Sequence, residues 1–384
     1  MKSLIDKSFT QLTSYCESED FKGWDPFDGL TSRFFQSIPF VRTNKFCRLA
    51  WIQFFKRSPI NFRRLFLVKK QHNSKGLALF VIAYCNRYEK TGDPAILEKI
   101  NTLCDRLIHS KCQDYAESCW GYYFDWQARA FFQPAYTPTV VATSFAADAL
   151  YRAFRITGND KYKEEVISAA GFVVNRLNRT YDDDGDLSFS YSPLDKTAVF
   201  NASLLGARLL AQAHHLSENA NYSALARQAV NFACKYQQPD GAWAYGTLPF
   251  HSWIDSFHTG FNLESIYEYQ RYTGDLSFSE HIRKGMDYYI RNFFTAEGIP
   301  KYYNNKVFPV DVHATAQLIV TLSKLEQLDE HRAVADNVLK WTIAHMQDKK
   351  GFFYYQKNKN FTNKIAYMRW SQAWMMYGFS YYIK

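Results

Sequence analysis

The chain has 384 residues, 47% of them apolar and 18% aromatic, and a net charge of +9. Its length would hold two or three average domains, yet a toroid of repeated units forms a single unit of this size. The charge is spread thinly, with Arg63-Arg64 and Lys69-Lys70 the nearest approach to a cluster; it is a weak sign of nucleic acid, fits an anionic small molecule or polysaccharide as well, and suits a generic basic surface better than either. Seven scattered cysteines without a C-x-x-C pair read as reduced, buried small hydrophobes. Met1 to Phe21 lacks the apolar core of a signal peptide, and no stretch of about 18 apolar residues occurs. A cytoplasmic chain without membrane insertion is expected.

From residue 76 onward, uncharged and amphipathic helical segments alternate. Gly76 to Tyr84, Pro138 to Tyr151, Asn201 to Ala213, Phe257 to Tyr267, Val312 to Leu322 and Trp370 to Tyr382 are nearly free of charge. Pro94 to Ile108, Asp160 to Leu177, Tyr222 to Gln237, Phe278 to Phe293 and Glu330 to Met346 each carry a polar stripe. A helix apolar all round must be covered on every side, whereas a striped one lies at the surface. The alternation predicts an all-α (α/α)6 toroid, with an inner and an outer ring and short aromatic β-like segments on one rim. The sixth outer helix is supplied either by Thr43 to Phe55 or by the extreme N-terminal helix. Residues 1–60 are expected as an arm and helices packed on the barrel, with Gly23 to Pro39 irregular, and residues 61–384 as the toroid.

Two sets of turns punctuate the helices. Thr91-Gly92, Thr157-Gly158 and Thr273-Gly274 close apolar segments. Gly185, Gly241, Gly298 and Gly351 recur every 53 to 57 residues and are each followed by aromatics. An inner helix begins after each aromatic segment, so the inner N-termini share one rim and their polar first turns converge there. The backbone N–H groups at these N-termini favour an anionic ligand. The other end, with only short turns, is expected to leave little room for chemistry.

The densest polar segment runs from His251 to Thr259. Asp255 and His258, at i and i+3, either form an acid/base pair or reflect a helix cap. Asp311 and His313 open the next inner helix, behind Lys301, Tyr302 and Tyr303; again Asp311 is either a cap or part of a site. Trp120 to Gln127 offers aromatic faces and one carboxylate, Asp125, suited to a sugar or to a hydrophobic plug. Glu264 needs a buried partner, for which Arg369 is a candidate, or a catalytic role. Arg369 itself either grips an anionic group or ties down the last helix. The expected catalytic residues are therefore Asp255, His258, Tyr303, His313 and Asp125, the last paired with Asp255 if the reaction is hydrolysis. Trp126, Trp243 and Trp253 are expected to stack on sugar rings, with Lys301, Asp311, Arg369 and Gln372 also binding substrate. Asp182 to Asp186 lacks the closing Glu of a calcium loop and reads as a turn. Phosphate-loop, dinucleotide and zinc patterns are missing, so neither a cofactor nor a metal is expected.

Phe124-Asp125-Trp126-Gln127, Thr137 to Phe145, Asn201 to Ala207, Trp253 to Gly260 and Arg369 to Trp374 together resemble bacterial polysaccharide-biosynthesis proteins of the VpsJ type. The resemblance covers residues 60 to 384 and implies a role in capsule or exopolysaccharide synthesis, with contacts to glycan-assembly proteins. More distantly, the hairpin ring is similar to six-hairpin glycosidases, toroidal polysaccharide lyases and the C-terminal domain of glucuronyl C5-epimerases. The expected activity is acid/base chemistry, epimerisation or cleavage, on a uronic-acid-containing glycan. Two alternatives stand beside it. One is an isoprenoid-binding or cyclase-like toroid, to which Gln237 to Trp243 bears some likeness; the other is a noncatalytic scaffold.

Overall fold

A computed structural model describes residues 1–128 and 132–384. The chain opens with α1 (Lys2–Ser18), followed by an arm holding a 3-10 turn (Asp28–Thr31), α2 (Arg33–Gln36), α3 (Pro39–Thr43) and α4 (Lys45–Arg57). Five hairpins follow: α5 (Ser74–Thr91) with α6 (Pro94–His109), α7 (Val140–Thr157) with α8 (Asp160–Arg176), α9 (Phe200–Ser217) with α10 (Ala220–Lys235), α11 (Ser256–Thr273) with α12 (Ser279–Phe293), and α13 (Val312–Lys324) with α14 (Arg332–Met346). A π-helical turn (Met368–Ala373) leads into α15 (Trp374–Tyr382). Short antiparallel pairs decorate one rim: β1 (Trp126–Gln127) with β2 (Phe132–Gln133), β3 (Arg179–Tyr181) with β4 (Leu187–Phe189), and the meander β5 (Val310–Asp311), β6 (Gln356–Lys357), β7 (Thr362–Asn363).

The uncharged helices form the inner wall. α5 packs on α7, α7 on α9, α9 on α11, α11 on α13, α13 on α15, and α15 back on α5, so the ring closes. Each is buried along nearly its whole length, whereas α6, α8, α10, α12 and α14 bury one stripe.

The sixth outer helix is α1, not the Thr43 to Phe55 segment. At Gly241 and Gly298 an added Cβ would lie 2.2 and 2.5 Å from backbone carbonyl oxygens of α12 (Lys284) and α14 (Asn337), and at Gly351 it would lie 2.4 Å from the Gln11 oxygen of α1. At these three of the four repeated glycines the aromatic loop touches the backbone of the next outer helix at positive φ, whereas at Gly185 an added Cβ would meet nothing within 4 Å. Gln347, at the end of α14, accepts from Ser8 Oγ at 2.7 Å and completes that seam. α4 instead packs with the arm in a small separate cluster built on Leu30, Phe35 and Ile52.

The aromatic segments take their positions from the helix starts. The first backbone N–H groups of α7, α9, α11 and α13, at Val140, Phe200, Ser256 and Val312, donate to the carbonyls of Tyr191, Tyr245, Tyr302 and Tyr355, at 3.0, 3.2, 3.0 and 3.3 Å. Each tyrosine comes from the repeat that follows. Asn73, Thr139, Asp255 and Asp311 cap further N–H groups with their side chains. These helix starts therefore spend much of their anion-binding capacity within the protein, contrary to the expectation of free N–H groups at the rim.

The interior holds a buried ionic network below that rim. Lys324 Nζ lies 3.2 Å from Glu268, 3.5 Å from Glu264 and 3.7 Å from Asp148; Arg208 reaches Glu268 at 3.4 Å and Arg152 reaches Asp148 at 3.4 Å. Glu264 also accepts from Gln317 and from Thr321 Oγ1, so its partner is this cluster and not Arg369. The opposite end is not closed, as short turns suggested. It opens into a basin of about 770 Å³ whose wall includes Arg152, Arg155, Arg271 and Lys324. The turns there are indeed short, yet they leave this space at the helix ends open.

Candidate functional site

At the rim formed by the inner N-termini lies a cavity of about 280 Å³. The repeat delivers its wall: Tyr191, Tyr245 and Tyr302 come from successive aromatic segments, Tyr122, Phe124 and Trp126 from the loop before α7, and Phe27 and Lys56 from the arm and α4. Two histidines, His258 and His313, face it together with Lys75, Asn201, Tyr303, Trp253, Arg369 and Trp370. Among the described residues no Asp or Glu lines this wall.

Asp255 stands directly behind His258. Its Oδ1 accepts the His258 backbone N–H at 3.0 Å, capping α11, and its Oδ2 meets His258 Nδ1 at 2.6 Å and Trp253 Nε1 at 3.1 Å. The cap and the acid/base pair are thus one arrangement, because the i+3 side chain folds back over the first turn. With Nδ1 held by a carboxylate, Nε2 is the nitrogen left for the cavity. Trp253 is the more exposed partner, at 37%, and its ring stacks on Tyr245 with centroids 4.5 Å apart.

His313 is built differently. Asp311 caps α13 through the His313 N–H at 3.0 Å, but a side chain at i+2 turns away from its cap and points into the ring. The imidazole lies flat on Phe257 (4.6 Å, 5°) and against Trp374 (4.1 Å), with Trp370 edge-on. Among the described residues neither ring nitrogen has a partner. Burial, then the nearby charges of Lys75, His258 and Arg369, hold its pKa well below the usual imidazole range. Burial thus favours the neutral imidazole, which lacks a hydrogen-bonding partner, and among the described residues Asn201 Oδ1 in the same wall is likewise unpartnered.

Of the residues expected from the sequence, His258, His313, Tyr303, Trp126, Trp253 and Arg369 meet at this cavity, with Asp255 one layer behind. The others lie elsewhere. Asp125 accepts the Ala135 N–H at 2.7 Å, inside its own loop, and so does not oppose Asp255 across a cleft. Trp243 is buried in the slot left by Gly285, donating to Ala233 O at 3.0 Å, and offers no face to a ligand. Lys301 bonds the Asn304 carbonyl. Asp311 accepts from Gln356 at 2.7 Å and from Trp370 Nε1 at 3.0 Å, and burial pushes its carboxyl up to about 6. Gln372 is consumed by Phe353, accepting its N–H at 2.7 Å and donating to its carbonyl at 2.8 Å.

Arg369 borders the cavity, but Asp25 holds its guanidinium in a two-point pair at 2.6 and 2.8 Å. It anchors the arm to the last inner helix and brings no uncompensated charge. The Asp182 to Asp186 turn is likewise occupied: Lys235 Nζ touches Asp182, Asp184 and Asp186 at 2.6 to 2.8 Å.

Tyr122 lies in the Trp120 to Gln127 loop expected to meet a sugar, whereas sequence reasoning did not single out Lys75, Lys56, Tyr191 and Tyr245 as substrate-binding residues. The tyrosines had a signal, since each follows a glycine of an aromatic segment. For Lys75 the polar first turn Asn73-Ser74-Lys75 pointed to the rim, but nothing pointed to its burial, which comes from three distant helices.

No protein-family model matches the chain, and no curated protein does. Solved structures do. The chain is similar to cellobiose 2-epimerase from Bacillus thermoamylovorans B4167 (TM-score 0.63, 12% identity, 80% of this chain and 87% of that one). It is also similar to a D-mannose isomerase (0.60, 12%, 81% and 86%) and to an unsaturated glucuronyl hydrolase specific for heparin (0.59, 14%, 80% and 85%). At these identities the likeness is one of fold, and it agrees with the closed double ring described above.

Proposed function

We propose that the rim cavity is the active site of a carbohydrate-modifying enzyme that moves a proton at a sugar carbon, with epimerisation favoured over cleavage. One observation carries the reading: two imidazoles in different settings share one aromatic cavity. His258 is held by a carboxylate and His313 is dry and neutral, so one can accept a proton while the other donates. Tyrosine and tryptophan faces suit the apolar faces of a sugar ring, and unpartnered Asn201 and His313 suit its hydroxyls. Hydrolysis through two opposed carboxylates is disfavoured, since the wall has none among the described residues.

An acidic sugar fits the charge better than a neutral one. Lys56 lines the cavity and, among the described residues, makes no ion pair, so it replaces Lys301 and Arg369 as the group proposed to hold a uronate. The same cation argues against isoprenoid cyclisation, because a carbocation would be repelled. The volume lies near the lower end of the roughly 300–1,000 Å³ typical of small-ligand sites, so a mono- or disaccharide unit, or the end of a glycan, is the substrate proposed.

The similarity to a cellobiose 2-epimerase and a mannose isomerase supports proton transfer. The likeness to VpsJ-type proteins supports a setting in surface-polysaccharide synthesis; a cytoplasmic location and contacts with glycan-assembly proteins belong to that same proposal. Among the described residues no helix is long and apolar enough to cross a membrane.

The test is incubation of the purified protein with uronate mono- and disaccharides in deuterated water. Epimerisation places deuterium on a sugar carbon, elimination gives an unsaturated product, and hydrolysis does neither. Wild-type protein that exchanges no carbon-bound proton in any of these sugars would overturn the reading.

A further inference from the structure

Lys75 differs from the other deeply buried cations. Arg63 is paired with Asp28, Arg369 with Asp25, and Arg208 and Lys324 with Glu268. Lys75 is only 4% exposed, yet among the described residues its Nζ makes no ion pair and no hydrogen bond. It lies instead over three aromatic rings, 4.1 Å from the centroid of Phe145, 4.9 Å from Phe261 and 5.1 Å from Trp374. Two of those rings, Phe261 and Trp374, also flank His313. Burial and the neighbouring Arg369 and Arg208 charges favour the neutral amine. A lysine desolvated beside other cations is the usual form of a nucleophilic amine.

We propose that Lys75 Nζ forms an imine with the carbonyl carbon of an open-chain reducing sugar held between His258 and His313. This rests on the sugar reading of the cavity and narrows its substrate to sugars with a free carbonyl. The amine lone pair adds to the carbonyl carbon, and its proton passes to the oxygen to give a carbinolamine. A protonated histidine then gives a proton to that hydroxyl, water leaves, and a protonated imine remains.

The positive charge now on nitrogen sits on the faces of Phe145, Phe261 and Trp374, so the aromatic cage stabilises the intermediate more than the resting amine. It also acidifies the adjacent C–H, from which His258 Nε2, unprotonated once it has served the dehydration, takes a proton as the electrons move toward nitrogen, forming an enamine. A proton taken up from water and relayed through His313 is delivered to the opposite face and inverts the carbon, and the later hydrolysis of the imine gives a proton back to water. Water then adds back, and the sugar leaves as Lys75 regains its free amine.

The test uses the full-length protein with D-glucuronate, D-glucose and cellobiose, each in the presence of sodium cyanoborohydride, with peptide mapping by mass spectrometry. Reduction of an imine fixes the sugar to the lysine as a secondary amine. The expected result is labelling of Lys75 at least about tenfold faster than of exposed lysines, which are largely protonated at neutral pH. Lys75→Arg, which keeps a long cationic side chain, should lose both the label and the exchange of deuterium into the sugar. Lys75 left unlabelled by all three sugars while the protein still exchanges deuterium would overturn the imine and leave the proton-transfer reading intact. Absence of both label and exchange would remove both.

Discussion

Asp255→Asn isolates the role of the carboxylate behind His258 with little change of shape. Asparagine is a good N-cap, so its Oδ1 can still accept the His258 N–H and the start of α11 should hold. What changes is the second oxygen, which now receives His258 Nδ1 at 2.6 Å and Trp253 Nε1 at 3.1 Å. An amide NH2 there faces two donors. His258 can accept from it only by moving its proton to Nε2, which turns the nitrogen facing the cavity from an acceptor into a donor. Loss of hydrogen bonds to a charged group costs about 1.5–3 kcal/mol, and the retained cap and relaxed tautomer should keep the loss near the lower end. The wrong tautomer should slow proton transfer by about 10³–10⁴-fold. Urea unfolding followed by circular dichroism measures the first quantity, and NMR of deuterium entry into the sugar measures the second. A folded variant that exchanges within about tenfold of wild type would refute the assignment of His258 as a base oriented by Asp255.

His313→Phe should leave stability unchanged or raise it, since it removes two buried unpartnered nitrogens from a stack of aromatic rings, while exchange falls at least about 10²-fold; a thermal scan paired with the exchange assay checks both. Lys324→Met strips the cation from Glu268, Glu264 and Asp148 and should cost about 3–5 kcal/mol in urea unfolding, a loss under about 1 kcal/mol meaning that the interior network is not a unit. Gly351→Ala should destabilise clearly more than Gly92→Ala, because both glycines have positive φ but only Gly351 meets backbone, at Gln11 of α1. Equal losses in parallel melts would argue against α1 as the closing outer helix.

The ring was legible because its cause is periodic. An inner helix must shed charge along its whole length, and six segments did so at regular intervals. The closing helix was harder to choose, since the contact between Gly351 and Gln11 spans nearly the whole chain and no local pattern records it. At the site, Asp255 and His258 were readable because their interaction lies within one helical turn. Trp243 was not, as its destination is the notch at Gly285 on another hairpin. Asp311 and Gln372 looked equivalent to residues of the rim, but partners from β6 and from the segment at Phe353 claim them. Lys75 stood in a polar first turn like any solvated lysine, and only α7, α11 and α15, brought together by ring closure, remove its water.

The account stands on two histidines serving one sugar site at the rim, and a crystal structure of the protein with bound D-glucuronate tests this most directly. The sugar is predicted to lie between His258 and His313, each with a ring nitrogen within about 3.2 Å of the ligand, and with the carboxylate toward Lys56. A sugar lodged instead in the basin between Arg155 and Arg271, with the rim cavity empty, would contradict it.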